Sequence, residues 1–178
     1  MSSDNGSGDI SAPEFSRMID RRTLGAAPVA LQATAEECTA LAERFAIPMV
    51  NALNAELALL INGETVAASG NLQADIVQSC AISGDDLPVT IEEELSLTFV
   101  PEREITEEEI ELEEGDLDEI PYAGTSFDLG EAVAQSLALA IDPYLTGPDA
   151  ERVREIHDLA EKGPSGPLQD ALKGLRGD

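Results

Sequence analysis

Apolar residues alternate with polar ones at Ala55, Leu57, Leu59 and Ile61, and again at Val66, Ala68, Leu72, Ala74 and Ile76. A period of two puts every second side chain on one face, so each run predicts a half-buried β-strand. Asn62-Gly63 separates the runs. Both residues tolerate positive φ, which a two-residue hairpin turn requires. A second turn is expected at Ser83-Gly-Asp-Asp86, followed by a third alternating run. There Leu87, Val89, Ile91, Leu95, Leu97 and Phe99 share one face, and Thr90, Glu92, Glu94, Ser96 and Thr98 share the other. The three long strands read as an antiparallel meander with one apolar and one polar, acidic face.

Helical periods flank this meander. Thr34-Ala-Glu-Glu37 is a capping box, and the stripe Cys38, Leu41, Ala42 and Phe45 behind it predicts an amphipathic helix ended by Pro48. Asp128, with Glu131 three residues on, opens a second helix that turns Leu129, Val133, Leu137, Ala140 and Ile141 inward and stops at Pro143. A third is expected from Pro148 to Gly163, with Val153, Ile156 and Ala160 on one side. Short strands are expected at Phe15 to Leu24 and Val29 to Ala33. The fold class is α+β: an antiparallel β-sheet, flat or curled toward a barrel, with packed helices and an acidic loop.

Three regions follow. Residues 1–13 are Ser/Gly/Asp-rich, without the basic and apolar regions of a signal peptide, and read as a disordered lead. Residues 14–145 form the α+β domain, including the acidic segment 102–119. Residues 146–178 form a helical arm broken by the linker Pro164-Ser-Gly-Pro167. Its last segment carries Leu168, Leu172 and Leu175 on one face and is too short to hold a helix alone, which suits a docking peptide.

Charge changes the picture most. The net charge is −26, and Asp85 to Glu119 holds sixteen acidic residues and one basic residue, Arg103. So dense a run repels itself and marks a solvated or partner-binding surface. It cannot neutralise phosphates, so direct RNA contact through this face is disfavoured, and a basic protein is the expected partner. The expected binding residues are Glu102, Glu104, Glu107, Glu108, Glu109, Glu111, Glu113, Glu114 and Asp116, with Leu168, Leu172 and Leu175 of the arm. Aromatic residues make up 3% and tryptophan is absent, so an aliphatic core is expected. The apolar runs fall short of the ~20 residues of a membrane span. Two cysteines make no disulfide framework, and the cytoplasm is the expected compartment.

Catalytic chemistry finds little support. His157 is the single histidine, flanked by charge, and reads as a surface residue. Cys38 lies on the apolar stripe of the first helix. Cys80 stands where a Cys-x-x-Cys pair would begin, but the fourth position is Ser83, and one thiol without a second ligand cannot hold zinc tetrahedrally. No catalytic residue, cofactor or metal site is assigned. A metal-dependent hydrolase using loop carboxylates is the weaker alternative, for lack of a nucleophile, base or ligand set. An acidic scaffold mimicking nucleic acid toward a basic protein is the stronger one.

The order of elements carries a resemblance. Gln78-Ser-Cys80-Ala-Ile-Ser83 ends a strand; Ile120-Pro-Tyr122 follows the acidic stretch, and then comes Phe127-Asp-Leu-Gly-Glu-Ala-Val-Ala-Gln-Ser-Leu-Ala-Leu-Ala-Ile-Asp-Pro143. This resembles the YceD family, the large ribosomal RNA subunit accumulation proteins, whose helix motif is matched at or near Asp128, Leu129, Val133, Leu137, Leu139 and Pro143. Gly166 to Arg176 is similar to a degraded form of the family's C-terminal signature. Many members carry Cys-x-x-Cys at the strand end and a further cysteine after the helix. Ser83 and the cysteine-free stretch after Pro143 depart from that pattern. The resemblance implies a non-enzymatic ribosome-biogenesis role in large-subunit rRNA accumulation or processing, with a basic ribosomal protein or pre-ribosomal particle as partner and no membrane. Oligomeric state is left open.

Overall fold

The structure, a computed structural model, describes residues 14–102 and 119–156. The chain divides into two compact units, Met1–Gln78 with Pro88–Asp142, and Ser79–Leu87 with Pro143–Asp178. The element order is β1 (Met18–Asp20), a 3-10 turn (Arg21–Thr23), β2 (Val29–Gln32), α1 (Ala35–Phe45), β3 (Met49–Asn62), β4 (Thr65–Ser79), β5 (Asp86–Pro101), β6 (Glu119–Tyr122), β7 (Ser126–Asp128), α2 (Leu129–Ala140) and α3 (Ala150–Ile156).

Five strands form one sheet in the order β2-β3-β4-β5-β6, and β1 pairs with β7 in a separate two-stranded ribbon. The hairpin forms where Asn-Gly predicts it, with Gly63 at φ 65 and Asn62 opposite Thr65. The sheet is open, with β2 and β6 at its edges, rather than closed into a barrel. It is also not wholly antiparallel. β6 runs parallel to β5, with Thr98 opposite Glu119 and Pro101 opposite Tyr122. The pattern reading places no strand at Glu119–Tyr122, because four residues with a proline carry no legible alternation.

Alternation sorts the faces as expected except at Ile61, which lies beside the hairpin turn and is 42% exposed. Leu53, Ala55, Leu57, Val66, Ala68, Leu72, Ala74, Ile76, Ile91, Leu95 and Phe99 are buried in one cluster with Cys38 and Leu41 of α1 and with Leu129, Val133 and Leu137 of α2. The core is not purely aliphatic. The largest fully buried side chains are Phe15, Phe99 and Phe127, and the Phe99 and Phe127 rings lie 4.3 Å apart, centre to centre. Tyr122 joins them at 6.0 Å from Phe127. Three of the six aromatic residues, Phe99, Tyr122 and Phe127, are concentrated at one place, which a composition average conceals.

Where strands were expected at Phe15 to Leu24, only Met18–Asp20 is strand, because Asp20 accepts from Arg22 N at 2.9 Å and starts the 3-10 turn. The capping box is present, with Glu37 N donating to Thr34 Oγ1 and Thr34 N donating to Glu37. The described part of α3 ends at Ile156, which is 65% exposed rather than turned inward. His157 and Ala160 lie outside the described residues.

Candidate functional site: the outer sheet face and the Cys80 turn

The motif residues around Asp128 prove to be structural. Asp128 caps α2, its Oδ1 accepting from Glu131 N at 3.0 Å. The same carboxylate accepts from Arg17 N at 2.8 Å and from Ser16 Oγ at 2.6 Å, which ties the start of the domain to the helix 112 residues later. Gly130 is required by this junction, since a Cβ there would stand 2.6 Å from the Phe15 carbonyl oxygen. Leu129, Val133 and Leu137 are fully buried, whereas Leu139 is 89% exposed.

Charged side chains brace the same unit. The Arg17 guanidinium forks onto both Glu37 oxygens at 2.6 and 2.9 Å. Hydrogen bonding from Arg17 holds the Glu37 carboxyl down to about 2. Arg44 forks onto both Glu131 oxygens at 2.8 and 2.7 Å, which lowers that carboxyl too, and adds Glu14 at 3.0 Å. Both arginines stay charged, each raised above its ordinary range first by its hydrogen bond to Glu37 or Glu131. Arg21 reaches Glu64 at 2.8 Å, and the Tyr122 hydroxyl donates to the Glu64 carbonyl, so the β3–β4 hairpin tip is held from two sides.

The opposite face of the sheet is polar. Register places Gln32 beside Asn54 and Asn54 beside Gln73, and Gln73 Nε2 donates to Glu92 Oε1 at 3.2 Å. This row crosses four strands. One row away Ala30 faces Glu56 and Glu56 faces Asn71. In the row on the other side Thr90 Oγ1 donates to Asp75 Oδ1 at 2.7 Å. The face is hollowed over β2, β3 and β4 by a concavity of about 780 Å³, and a smaller one of about 350 Å³ continues it to Glu92 and Glu94. The hollow includes Gly70, where a Cβ would lie 1.9 Å from the Glu56 carbonyl oxygen. Only a residue without a side chain admits so close an approach.

Of the binding residues expected from sequence, Glu102 is described. It is exposed, and its amide donates to the Tyr122 carbonyl at 2.9 Å. Glu104, Glu107, Glu108, Glu109, Glu111, Glu113, Glu114 and Asp116 lie outside the described residues, as do Leu168, Leu172 and Leu175. The hollow itself was missed. Its signal was present as Gly70 inside an alternating run and as the amides on the polar face of β3 and β4.

The Cys80 turn belongs to the smaller unit. Cys80 Sγ accepts from Gly147 N at 3.3 Å and from Ser83 N at 3.4 Å. These bonds, Gly147 first, bring the thiol down to about 6, while the residue is 3% exposed. Cys80 N donates to Asp85 O at 2.7 Å and Gly84 N to Cys80 O at 2.9 Å, so the sulfur closes a tight turn. Cys38 is buried, and burial raises its thiol. Among the described residues no three His, Cys, Asp or Glu side chains converge in the manner of a metal site. Nor is any described helix long and apolar enough to cross a membrane.

A hairpin-centred sheet, an Asp-capped helix bound back to the chain's start, and a Cys-x-x-Ser turn together define an α+β protein whose helix motif serves packing. The family model described as Large ribosomal RNA subunit accumulation protein YceD matches residues 68–167, more than half of the chain. The chain belongs to the YceD family, and its role lies with accumulation of large-subunit ribosomal RNA. Neither the curated proteins nor the solved structures compared with it give a match.

Proposed function

We propose that this protein is a non-enzymatic, cytoplasmic ribosome-biogenesis factor that binds a basic ribosomal protein or a basic pre-ribosomal surface through its acidic residues. The observation that carries the reading is the family match on a chain of net charge −26. A polyanion cannot gain affinity for RNA by releasing counterions from phosphates, so it acts on RNA through the cationic proteins bound there. The acidic segment from Glu102 to Glu119 supplies the largest charge, and the arm with Leu168, Leu172 and Leu175 supplies a second, apolar contact.

Affinity capture from native cytoplasm at low and high salt tests this reading. Basic large-subunit proteins or pre-ribosomal particles are expected at low salt and lost at high salt, because exposed charges are screened over about 8 Å at physiological ionic strength. Replacing Glu107, Glu108, Glu109, Glu111, Glu113 and Glu114 with Gln is expected to slow association more than it speeds dissociation. Capture that is indifferent to salt and to these substitutions would refute the role of the segment.

A further inference from the structure

The outer sheet face is a second acidic surface, built from Glu56 of β3 and from Glu92 and Glu94 of β5, which precede the Glu102–Glu119 segment in the chain. Glu56 and Asn71 stand side by side, and Glu92 extends the Gln32, Asn54, Gln73 row. Glu94 follows two residues on, on the same side of β5. Neither α1 nor α2 covers this face, since both pack into the core cluster on the other side. Every described arginine is already paired elsewhere: Arg17 with Glu37, Arg21 with Glu64, Arg22 with Asp20, Arg44 with Glu14 and Glu131, Arg152 with Asp149, and Arg154 with Glu151. The carboxylates of the face have no described cation. Between them the side chains are amides and small residues, so the surface offers rows of acceptor oxygens.

We infer that this hollow seats an arginine-bearing segment of a basic protein, laid across β2 to β5. The inference rests on the proposed acidic-binding role and names a second surface for it. Complementarity of sign selects a cation, and the neighbouring amide and carboxylate acceptors suit the planar, multi-donor guanidinium better than a point charge. Neighbours within a row, about 4.8 Å apart from strand to strand, match donors spread along a chain rather than a single small ion. The acidic segment 103–118 has the same sign as the face, so like-charge repulsion disfavours it as the occupant. The C-terminal residues Lys162, Lys173 and Arg176 are the intramolecular competitor.

The test uses the full chain and a fluorescent nona-arginine peptide, read by anisotropy at physiological salt. Glu56→Gln, Glu92→Gln and Glu94→Gln together are expected to weaken binding about tenfold, the sum of three exposed charge pairs. The control removes three charges on or bonded to α1, on the other side of the sheet, Glu14→Gln, Glu36→Gln and Glu43→Gln, and is expected to cost less than about threefold, through long-range potential alone. Equal losses from the two triples would overturn the proposal. If only the six-Gln acidic segment variant loses affinity, the general reading stands and the hollow is excluded; if no variant does, both fail. Lys162→Gln, Lys173→Gln and Arg176→Gln together leave affinity unchanged on this proposal, and a large gain would show that the chain's own end fills the hollow. Sedimentation showing a dimer that the peptide dissociates would assign the face to a second copy, against the proposal.

Discussion

The two faces of the central sheet share one backbone and differ only in alternate side chains. On the inner face, Leu53, Leu57, Leu72 and Ile76 are at most 1% exposed and pack beneath helices. On the outer face, Glu56, Asn71, Gln73 and Glu92 stand in the same registers and are exposed. Burial carries the stability, through removal of apolar area from water. The outer face can therefore change its charge at little cost to the fold. That freedom is what lets a surface of this kind be specialised for a partner, and it makes the comparison testable.

The largest effect is expected where the faces meet, at Gly70. Gly70→Ala forces the Glu56 carbonyl and the added methyl apart, which is expected to cost about 3 kcal/mol or more, comparable to a core truncation. Thermal unfolding would show a fall of roughly 6–12 °C. An unchanged melting temperature would mean that the close approach of β3 and β4 at Gly70 relaxes at no cost.

Asp128→Ala comes next. It removes a helix cap and the bonds to Ser16 and Arg17, and an expected loss of about 2 kcal/mol follows from the cap plus partly buried hydrogen bonds. Hydrogen exchange should then report opening of Phe15 to Met18 ahead of the core strands. Uniform protection across these residues would show that the tie is dispensable.

Glu37 gives a smaller, pH-dependent effect. Its folded carboxyl is held down to about 2, below the ordinary value of about 4.5. A depressed folded value means that its stabilisation is fully present above about 4.5 and is lost as pH falls from there toward about 2. Glu37→Gln is expected to cost about 1 kcal/mol at pH 7, in keeping with a partly exposed pair. Part of the acid destabilisation should disappear with it. Denaturant melts at pH 7, 4 and 2.5 check this, and parallel curves for the two proteins would exclude the Arg17 pair as the source.

The smallest effect is on the outer face. Glu56→Gln, Glu92→Gln and Glu94→Gln together are expected to leave stability within about 0.5 kcal/mol, or to raise it slightly as repulsion falls. A loss beyond 1 kcal/mol, on the order of a broken core contact, would erase the distinction between the faces.

Much of this architecture was legible in advance because its causes are local. Asn62-Gly63 turns the chain by itself, Thr34 and Glu37 cap each other within one turn, and a period of two sorts the strand faces without reference to any neighbour. The acidic character of β5's outer face, set by Glu92 and Glu94, was visible for the same reason. What lay hidden depends on residues distant in the chain. Nothing near Asp128 announces Ser16 and Arg17 as its partners, and nothing in a 3% aromatic content tells that Phe15, Phe99, Phe127 and Tyr122 are buried together. Strand β6 is short and holds Pro121, so it exists only because β5 offers it a parallel edge. Gly70 has the same origin: alternation reads it as a gap in a row of apolar side chains, and only pairing with β3 brings the Glu56 carbonyl to within 1.9 Å of where its Cβ would be. Periodicity and capping determine which faces and ends a chain possesses, because they act through neighbouring peptide units; contacts between distant segments decide what those faces meet, because close packing leaves each of them one arrangement.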